Sequence, residues 1–256
     1  MKSGINIKLN IFIFLLLVLG KISGQTITIP IETKDNALVL QTDKDNRLWI
    51  VYFGNKLVNT ADYAATSQQY HFPEGNSGIY NNAYTAAGTW NLSEPALQVT
   101  HADGNPSTEL KYVSFQSKKE AENVTITIIK LMDPVYKLNV DLYYKTWNNE
   151  NVIEQWTEIT NNEKTDVVLN KYASANLFFS NKNFYLSSFQ GEYLKEMQPS
   201  EEKLGQGIKS IESKLGTRAM LLGTPNFILS FDGPAKENSG QVVLGQLAWS
   251  GNYKLD

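Results

Sequence analysis

Two histidines, His71 and His101, and no cysteine are all that this 256-residue sequence offers for imidazole or thiolate chemistry. A zinc site built on such ligands, or a Ser-His-Asp relay, needs more than that. Both histidines fall in expected loops, where a single imidazole reads as an exposed, solvated ring. No glycine-rich phosphate loop runs from a strand into a helix. Carboxylates are plentiful. Two of them, held a fixed distance apart across a sugar ring as acid and as nucleophile or base, cleave a glycosidic bond. Most of those present, among them Glu120, Glu122, Glu163, Glu201 and Glu202, lie in hydrophilic turns and read as solvated charges. Asp62 stands apart, between the aromatics Tyr52 and Phe53 and an aromatic-rich run. It either serves a site or bonds its own loop backbone, as turn aspartates do.

Aromatic side chains are the other asset: Trp49, Trp90, Trp147, Trp156 and Trp249, with many tyrosines. The apolar C–H face of a sugar stacks on such rings, but so does the core of any sandwich. Trp156, inside a long expected strand, reads as core. Trp90 and Tyr193, in a loop and at a strand end, are the better candidates for a sugar or a partner subunit. Sequons at Asn91 and Asn123 carry little weight, because the tripeptide is common by chance.

The elements that must position these residues are strands. Thr26 to Ile29 alternates. Ala37 to Gln41 and Leu48 to Phe53 are apolar runs separated by Asp43-Lys44-Asp45-Asn46 and read as a hairpin. Strands follow at Lys111 to Phe115, Asn123 to Leu131 and Leu138 to Lys145. In the last, Leu138, Val140, Leu142 and Tyr144 share one face, and Asn139, Asp141, Tyr143 and Lys145 the other, so that one face is core and the other solvated. Further strands are expected at Asn151 to Thr160, Val167 to Ala175, Asn183 to Ser188, Ala219 to Leu222, Phe227 to Phe231 and Gln241 to Trp249. Leu204, Ile208, Ile211 and Leu215 have helical spacing, but Gly205 and Gly207 interrupt them at ~1 kcal/mol each, so this stretch reads as strand and loop. Asn59 to Asn91 shows no clean period and reads as a long ordered loop, too aromatic for disorder. Many strands and no sustained helix predict an all-β sandwich.

Lys2 and Lys8, the apolar run Ile11 to Leu19 and the small residues Ser23-Gly24 have the order of a secretory signal peptide. The apolar run is shorter than the ~20 residues that span a bilayer. The division expected is therefore a signal peptide over 1–24 and one domain over 25–256, exported to the periplasm or beyond the cell and free of the membrane after cleavage. A net charge of -3 with mixed signs gives no field to gather nucleic acid or anionic lipid. No cofactor and no metal site is expected.

A set of segments in fixed order carries a family resemblance: Tyr52-Phe53-Gly54-Asn55-Lys56-Leu57, Glu94-Pro95-Ala96-Leu97, Gly104 to Ser114, Leu131-Met132-Asp133-Pro134-Val135-Tyr136, Asn151 to Ile159, Ile211-Glu212-Ser213, Gly216-Thr217-Arg218, and the closing runs Phe227 to Ala235 and Leu247 to Tyr253. Together they resemble the N-terminal domain of the family 36 glycoside hydrolases, the α-galactosidases. The resemblance implies an antiparallel β-supersandwich, related to the galactose mutarotase topology, that precedes a catalytic (β/α)8 barrel. It also implies retaining hydrolysis of terminal α-galactosides by two aspartates of that barrel, which this chain is expected to lack. The domain would pack on the barrel, shape the rim of the galactose site and support a homo-oligomer. Asp62 is the positional match to a rim aspartate that follows the aromatic-Gly-x-Lys segment. Here Tyr63-Ala64-Ala65 follows it, where many members have an aromatic and then a serine. Tyr193 lies where many have Gly-Ala-Trp, and Gly88-Thr89-Trp90-Asn91 stands where others have Gly-Asp-Phe-Arg. Two other readings remain: a stand-alone carbohydrate-binding or scaffold module, and a mutarotase-like enzyme using His71 or His101 as acid with a carboxylate base.

Overall fold

The structure is a computed structural model that describes residues 26–66, 77–181, 183–221 and 223–256. The expected signal peptide over 1–24 and the aromatic stretch Tyr70-His71-Phe72 lie outside the described residues. Strands β1 (Thr28–Glu32), β2 (Asn36–Thr42) and β3 (Leu48–Asn55) form an antiparallel sheet in sequence order. The expected turn between β2 and β3 closes because Asp43 Oδ1 accepts hydrogen bonds from the amides of Asp45 and Arg47, both at 2.8 Å. Asn46 takes the left-handed conformation (φ 57°) that asparagine tolerates.

After β4 (Leu97–Thr100) comes a meander of β5 (Lys111–Ala121), β6 (Val124–Met132), β7 (Leu138–Trp147) and β8 (Val152–Asn161), each strand paired with the next. β9 (Val168–Tyr172) returns to pair with β4. β10 (Phe184–Glu192) and β11 (Lys195–Lys203) form a hairpin. β12 (Ile211–Ser213) precedes β13 (Asn226–Phe231) and β14 (Val242–Gln246), which extend that hairpin into a sheet ordered β11-β10-β13-β14, and β15 (Tyr253–Leu255) pairs with β12. Every strand pairing among the described residues is antiparallel. The helices described are two short 3-10 segments, Thr60–Thr66 and Gly216–Leu221. The second falls where a strand over Ala219 to Leu222 is expected. That short apolar run has no period to separate strand from helix, and its described part, Ala219 to Leu221, belongs to the 3-10 segment. β11 was not anticipated, since all its residues are exposed and no apolar alternation marks it.

Alternation in β7 is realised as read. Leu138, Val140, Leu142 and Tyr144 are buried, and Asn139, Asp141, Tyr143 and Lys145 face outward between them. They pack in one cluster with Ile29, Ile31, Leu38 and Leu40 of the first sheet, Ile129 and Leu131 of β6, and Leu97 and Val99 of β4. This is face-to-face packing of two antiparallel sheets. Each such side chain contributes about 1.5–3 kcal/mol on burial. A ladder of phenylalanines, Phe53 to Phe179 (5.6 Å), Phe179 to Phe231 (5.3 Å) and Phe231 to Phe184 (5.9 Å), carries the packing from β3 to β10 and β13. Trp156 is not core. Register places it on the outward face opposite Tyr143, half-buried, with the two rings stacked at 4.8 Å.

His101 corrects a larger expectation: it is buried, not exposed. Its Nδ1 lies 2.7 Å from Glu163 Oε1 and its Nε2 lies 2.8 Å from Thr108 Oγ1. Its ring stacks on Tyr136 with centroids 3.7 Å apart. Glu163, read as a solvated turn charge, has a side chain only 7% exposed, and its Oε2 also accepts the Ala102 amide at 3.3 Å. A hydroxyl, an imidazole and a carboxylate are thus aligned as in a relay, but Thr108 is itself buried, so no substrate reaches the hydroxyl. The alignment ties the turn after β4 to the turn after β8.

Removing His101 takes from the buried Thr108 Oγ1 and Glu163 Oε1 the ring nitrogens they bond. His101→Ala is expected to lose about 2–3 kcal/mol in urea unfolding, and Glu163→Gln, which still accepts a hydrogen bond, about half of that. A second expectation concerns Tyr84, buried and donating to the carbonyl of Ala173 at 2.7 Å. Burial pushes its phenol from 10.0 up to about 12. The unfolded chain therefore loses this proton first, and stability that is complete below pH 10 falls as the pH rises towards 12. The loss is roughly 2–3 kcal/mol from this group. Unfolding titrations of Tyr84→Phe should show a shallower decline over the same window.

Candidate functional site

The end of β3 builds the turn that presents Asp62. Gly54 is closely packed there: a Cβ at this position would lie 3.0 Å from the hydroxyl of Tyr52, which folds back to donate to the Asn55 carbonyl at 2.6 Å. Tyr63 is fully buried against Ala37 and Val39, with Val51, Tyr52 and Leu57 around it. Its hydroxyl donates to Glu32 Oε1 at 2.9 Å and accepts the Leu57 amide at 3.1 Å. Burial above all, with the Glu32 carboxylate alongside, holds this phenol's pKa above its ordinary value. Lys56 closes the knot with an ion pair to Glu32 Oε2 at 3.2 Å. The 3-10 helix Thr60–Thr66 is thereby pinned to the sheet by one residue, and its neighbour Asp62 faces outward.

Asn59 caps that helix. Its Oδ1 accepts the Ala61 amide at 3.1 Å, its carbonyl accepts the Asp62 amide at 3.1 Å, and its Nδ2 donates to Asp62 Oδ1 at 3.2 Å. Asp62 is exposed, its carboxylate bonds a side chain and not its own backbone, and Oδ2 has no protein partner among the described residues. A shallow open depression of about 520 Å³ lies beside the same segment, lined by Lys34, Asp35, Asn55, Lys56, Leu57 and Val58. Asp35 there is engaged with Asn151, whose Nδ2 donates to Oδ2 at 2.8 Å.

Trp90 projects from a braced loop, 59% exposed. Its carbonyl accepts the Gly78 amide at 2.9 Å. Gly88 before it has φ 80° and packs so closely on Ser107 that no side chain fits. Asn91 after it is buried, and its Nδ2 is directed at the Tyr80 carbonyl (3.0 Å), Asn82 Oδ1 (2.8 Å) and Thr85 Oγ1 (3.2 Å). The sequon at Asn91 is therefore closed to a glycan. Tyr193 is 83% exposed in the turn between β10 and β11, next to the equally open Leu194. Asp62, Trp90 and Tyr193 stand on three separate segments. Among the described residues no hydrogen bond or ring contact joins any two of them.

His101 is excluded as an acid by its burial, and His71 lies outside the described residues. Sequence reading did not anticipate the Glu32–Tyr63–Lys56 knot. The signal was present only as a tyrosine one position after Asp62, since its partner Glu32 lies on β1. No group of three or more metal-ligating side chains gathers among the described residues.

Residues 46–256 match the sequence profile described as the glycosyl hydrolase family 36 N-terminal domain. The α-galactosidase Mel36A of Lactobacillus acidophilus is 25% identical over 92% of this chain, which spans 35% of that protein. The bifunctional α-galactosidase/sucrose kinase AgaSK of Mediterraneibacter gnavus is 24% identical over 88% of the chain and 26% of its own length. Among crystal structures, the α-galactosidase of Lactobacillus brevis superposes with a TM-score of 0.78 at 23% identity, over 89% of this chain and 34% of that one. AgaA of Geobacillus stearothermophilus does so with a TM-score of 0.79 at 19% identity, over 89% and 35%. The chain thus spans about a third of the length of these relatives or less. It belongs to glycosyl hydrolase family 36, as that family's N-terminal domain.

Proposed function

We propose that the chain serves as the non-catalytic N-terminal domain of an exported α-galactosidase-like glycoside hydrolase. It would pack on a catalytic barrel, complete the rim of the galactose site and assist assembly of subunits. One observation carries this reading: the match runs over 46–256 to a domain whose relatives are α-galactosidases about three times as long. Crystal structures of AgaA include a complex with raffinose and another with 1-deoxygalactonojirimycin, which favours an α-galactoside as the sugar. In this reading the signal peptide over 1–24 directs export to the periplasm or beyond.

Asp62 is the rim residue proposed. A carboxylate oxygen without a protein partner among the described residues accepts hydrogen bonds from sugar hydroxyls, and the turn that presents it is held by the buried Tyr63, so little ordering remains to be done on binding. Trp90 and Tyr193 offer exposed rings to a sugar face or a second subunit. The barrel supplies the two carboxylates, at the ~5–5.5 Å separation that retention of configuration requires.

Purified after export, the mature chain is expected to begin at Gln25 by mass spectrometry and to release no nitrophenol from p-nitrophenyl α-galactoside. Turnover by this chain alone would refute the non-catalytic assignment. Calorimetry with galactose and raffinose separates the stand-alone binding module: the present reading expects no heat, and saturable heat would favour the module. In an enzyme carrying this domain together with its barrel, Asp62→Ala is expected to raise KM roughly tenfold with kcat little changed, as for loss of a ground-state contact of ~1.4 kcal/mol. An unchanged KM would remove Asp62 from the rim.

A further inference from the structure

Register pairs Asn36 with Asn55, which brings the turn between β1 and β2 against the segment that leaves β3. The shallow depression of about 520 Å³ is lined by Lys34 and Asp35 from the first and by Asn55, Lys56, Leu57 and Val58 from the second. Its backbone is already bonded. Lys56 donates its amide to the Asp35 carbonyl at 2.7 Å, and Lys34 donates its own to the Asn148 carbonyl at 3.0 Å. The Asp35 amide donates to Asn151 Oδ1 at 2.9 Å, and Thr33 and Asn36 close the turn on each other. A ligand would therefore meet walls that need little ordering. The volume lies within the range of small-molecule sites, about 300–1,000 Å³.

Several side chains there are unspent. Among the described residues the Lys34 ammonium has no ion pair, the Asn55 side-chain amide has no hydrogen bond, and Asp35 uses only Oδ2, which accepts Asn151 Nδ2 at 2.8 Å. Lys56 is committed to Glu32. The charges of Lys34 and Asp35 offset each other, so the depression has little to hold an ion of either sign. An ammonium donor, an acceptor oxygen and an amide that does both match a ligand whose polar groups each donate and accept, which is the chemistry of sugar hydroxyls. Leu57 and the fully exposed Val58 supply apolar surface for the C–H side of such a ring. A packed protein face fits worse. It would take the Lys34 ammonium out of water without a partner, and the cores of protein interfaces are depleted in lysine and aspartate. A sugar stays partly hydrated and leaves that ammonium wet.

The place of the depression gives such a sugar a direction. Val58 is followed by Asn59, whose Nδ2 donates to Asp62 Oδ1 at 3.2 Å. We propose that the depression receives the sugar unit joined to the terminal galactose, with Lys34 and Asn55 as the residues that favour chain-extended α-galactosides over simple ones. The assignment rests on the reading of Asp62 as a rim residue and adds to it a preference for substrate length. A few exposed hydrogen bonds are too weak to hold a free sugar, so the depression acts on one already held through its galactosyl unit, as an intramolecular second contact. The isolated domain is accordingly expected to give no heat with raffinose.

In an enzyme carrying this domain together with its barrel, kinetics on raffinose and on methyl α-galactoside test this subsite. Lys34→Ala and Asn55→Ala should each raise the ratio of KM for raffinose to KM for methyl α-galactoside roughly fivefold. Both positions are exposed, and circular dichroism should match the parent. Asp62→Ala should raise KM for both substrates and leave their ratio unchanged. If Asp62→Ala behaves so while neither Lys34→Ala nor Asn55→Ala moves the ratio, the depression is not a subsite and the rim reading stands. If Asp62→Ala changes neither KM, the rim reading fails and the subsite falls with it. A ratio moved as far by Lys214→Ala, a surface lysine on another segment paired with Glu212, would also overturn the assignment, because loss of any positive charge would then account for the effect.

Discussion

Two antiparallel sheets that bury one face each against the other are the constraint from which the rest follows. Ile29, Ile31, Leu38 and Leu40 meet Ile129, Leu131, Leu138, Val140, Leu142 and Tyr144 in a single cluster. The side-chain period of a strand is two, so burying Leu138 fixes the direction of every second residue to Tyr144 and turns the intervening ones to solvent. A slip of one residue in β7 would place Asp141 and Lys145 in the core, a cost no nearby partner offsets. The clamps at the turns have fixed partners only because this register is fixed.

Those clamps share a pattern. Where the chain leaves a strand and cannot continue a ladder, a buried polar side chain takes over the hydrogen bonding. Asp133 accepts the amides of Val135 and Tyr136 through Oδ1 and that of Glu109 through Oδ2. Asn91 holds the loop around Trp90, Tyr63 holds the turn of Asp62, and His101 with Glu163 joins two turns more than sixty residues apart. A buried donor or acceptor left unmatched costs about 1–3 kcal/mol, which makes each clamp selective for one loop conformation. Residues positioned by such loops inherit that order, so Asp62 and Trp90 are held in place while remaining exposed.

The domain is unevenly finished at its edges. Charge, proline, bulges and covering loops protect most strands, whereas β14 and the turn at Tyr193 leave apolar side chains open. Scattered apolar residues on a surface need no explanation, but a contiguous apolar face beside an unpaired strand edge does.

Much was legible without coordinates. The alternation in β7, the turn at Asp43 to Asn46 and the order of motifs from Tyr52 to Tyr253 are local patterns, and local patterns determined the all-β class, the hairpin and the family. Signals also failed where they were local and ambiguous: Ala219 to Leu222 has no period, and β11 has no apolar face. What only the tertiary structure decided are meetings between residues far apart in the chain. Nothing next to His101 in the sequence says that Glu163 will reach it, or that Glu32 will lock Tyr63 and so aim Asp62. Burial and hydrogen-bond partnership are properties of the assembled sheets. Strand period determines which way a residue points, but the packing of sheet on sheet decides whether water or another side chain meets it there.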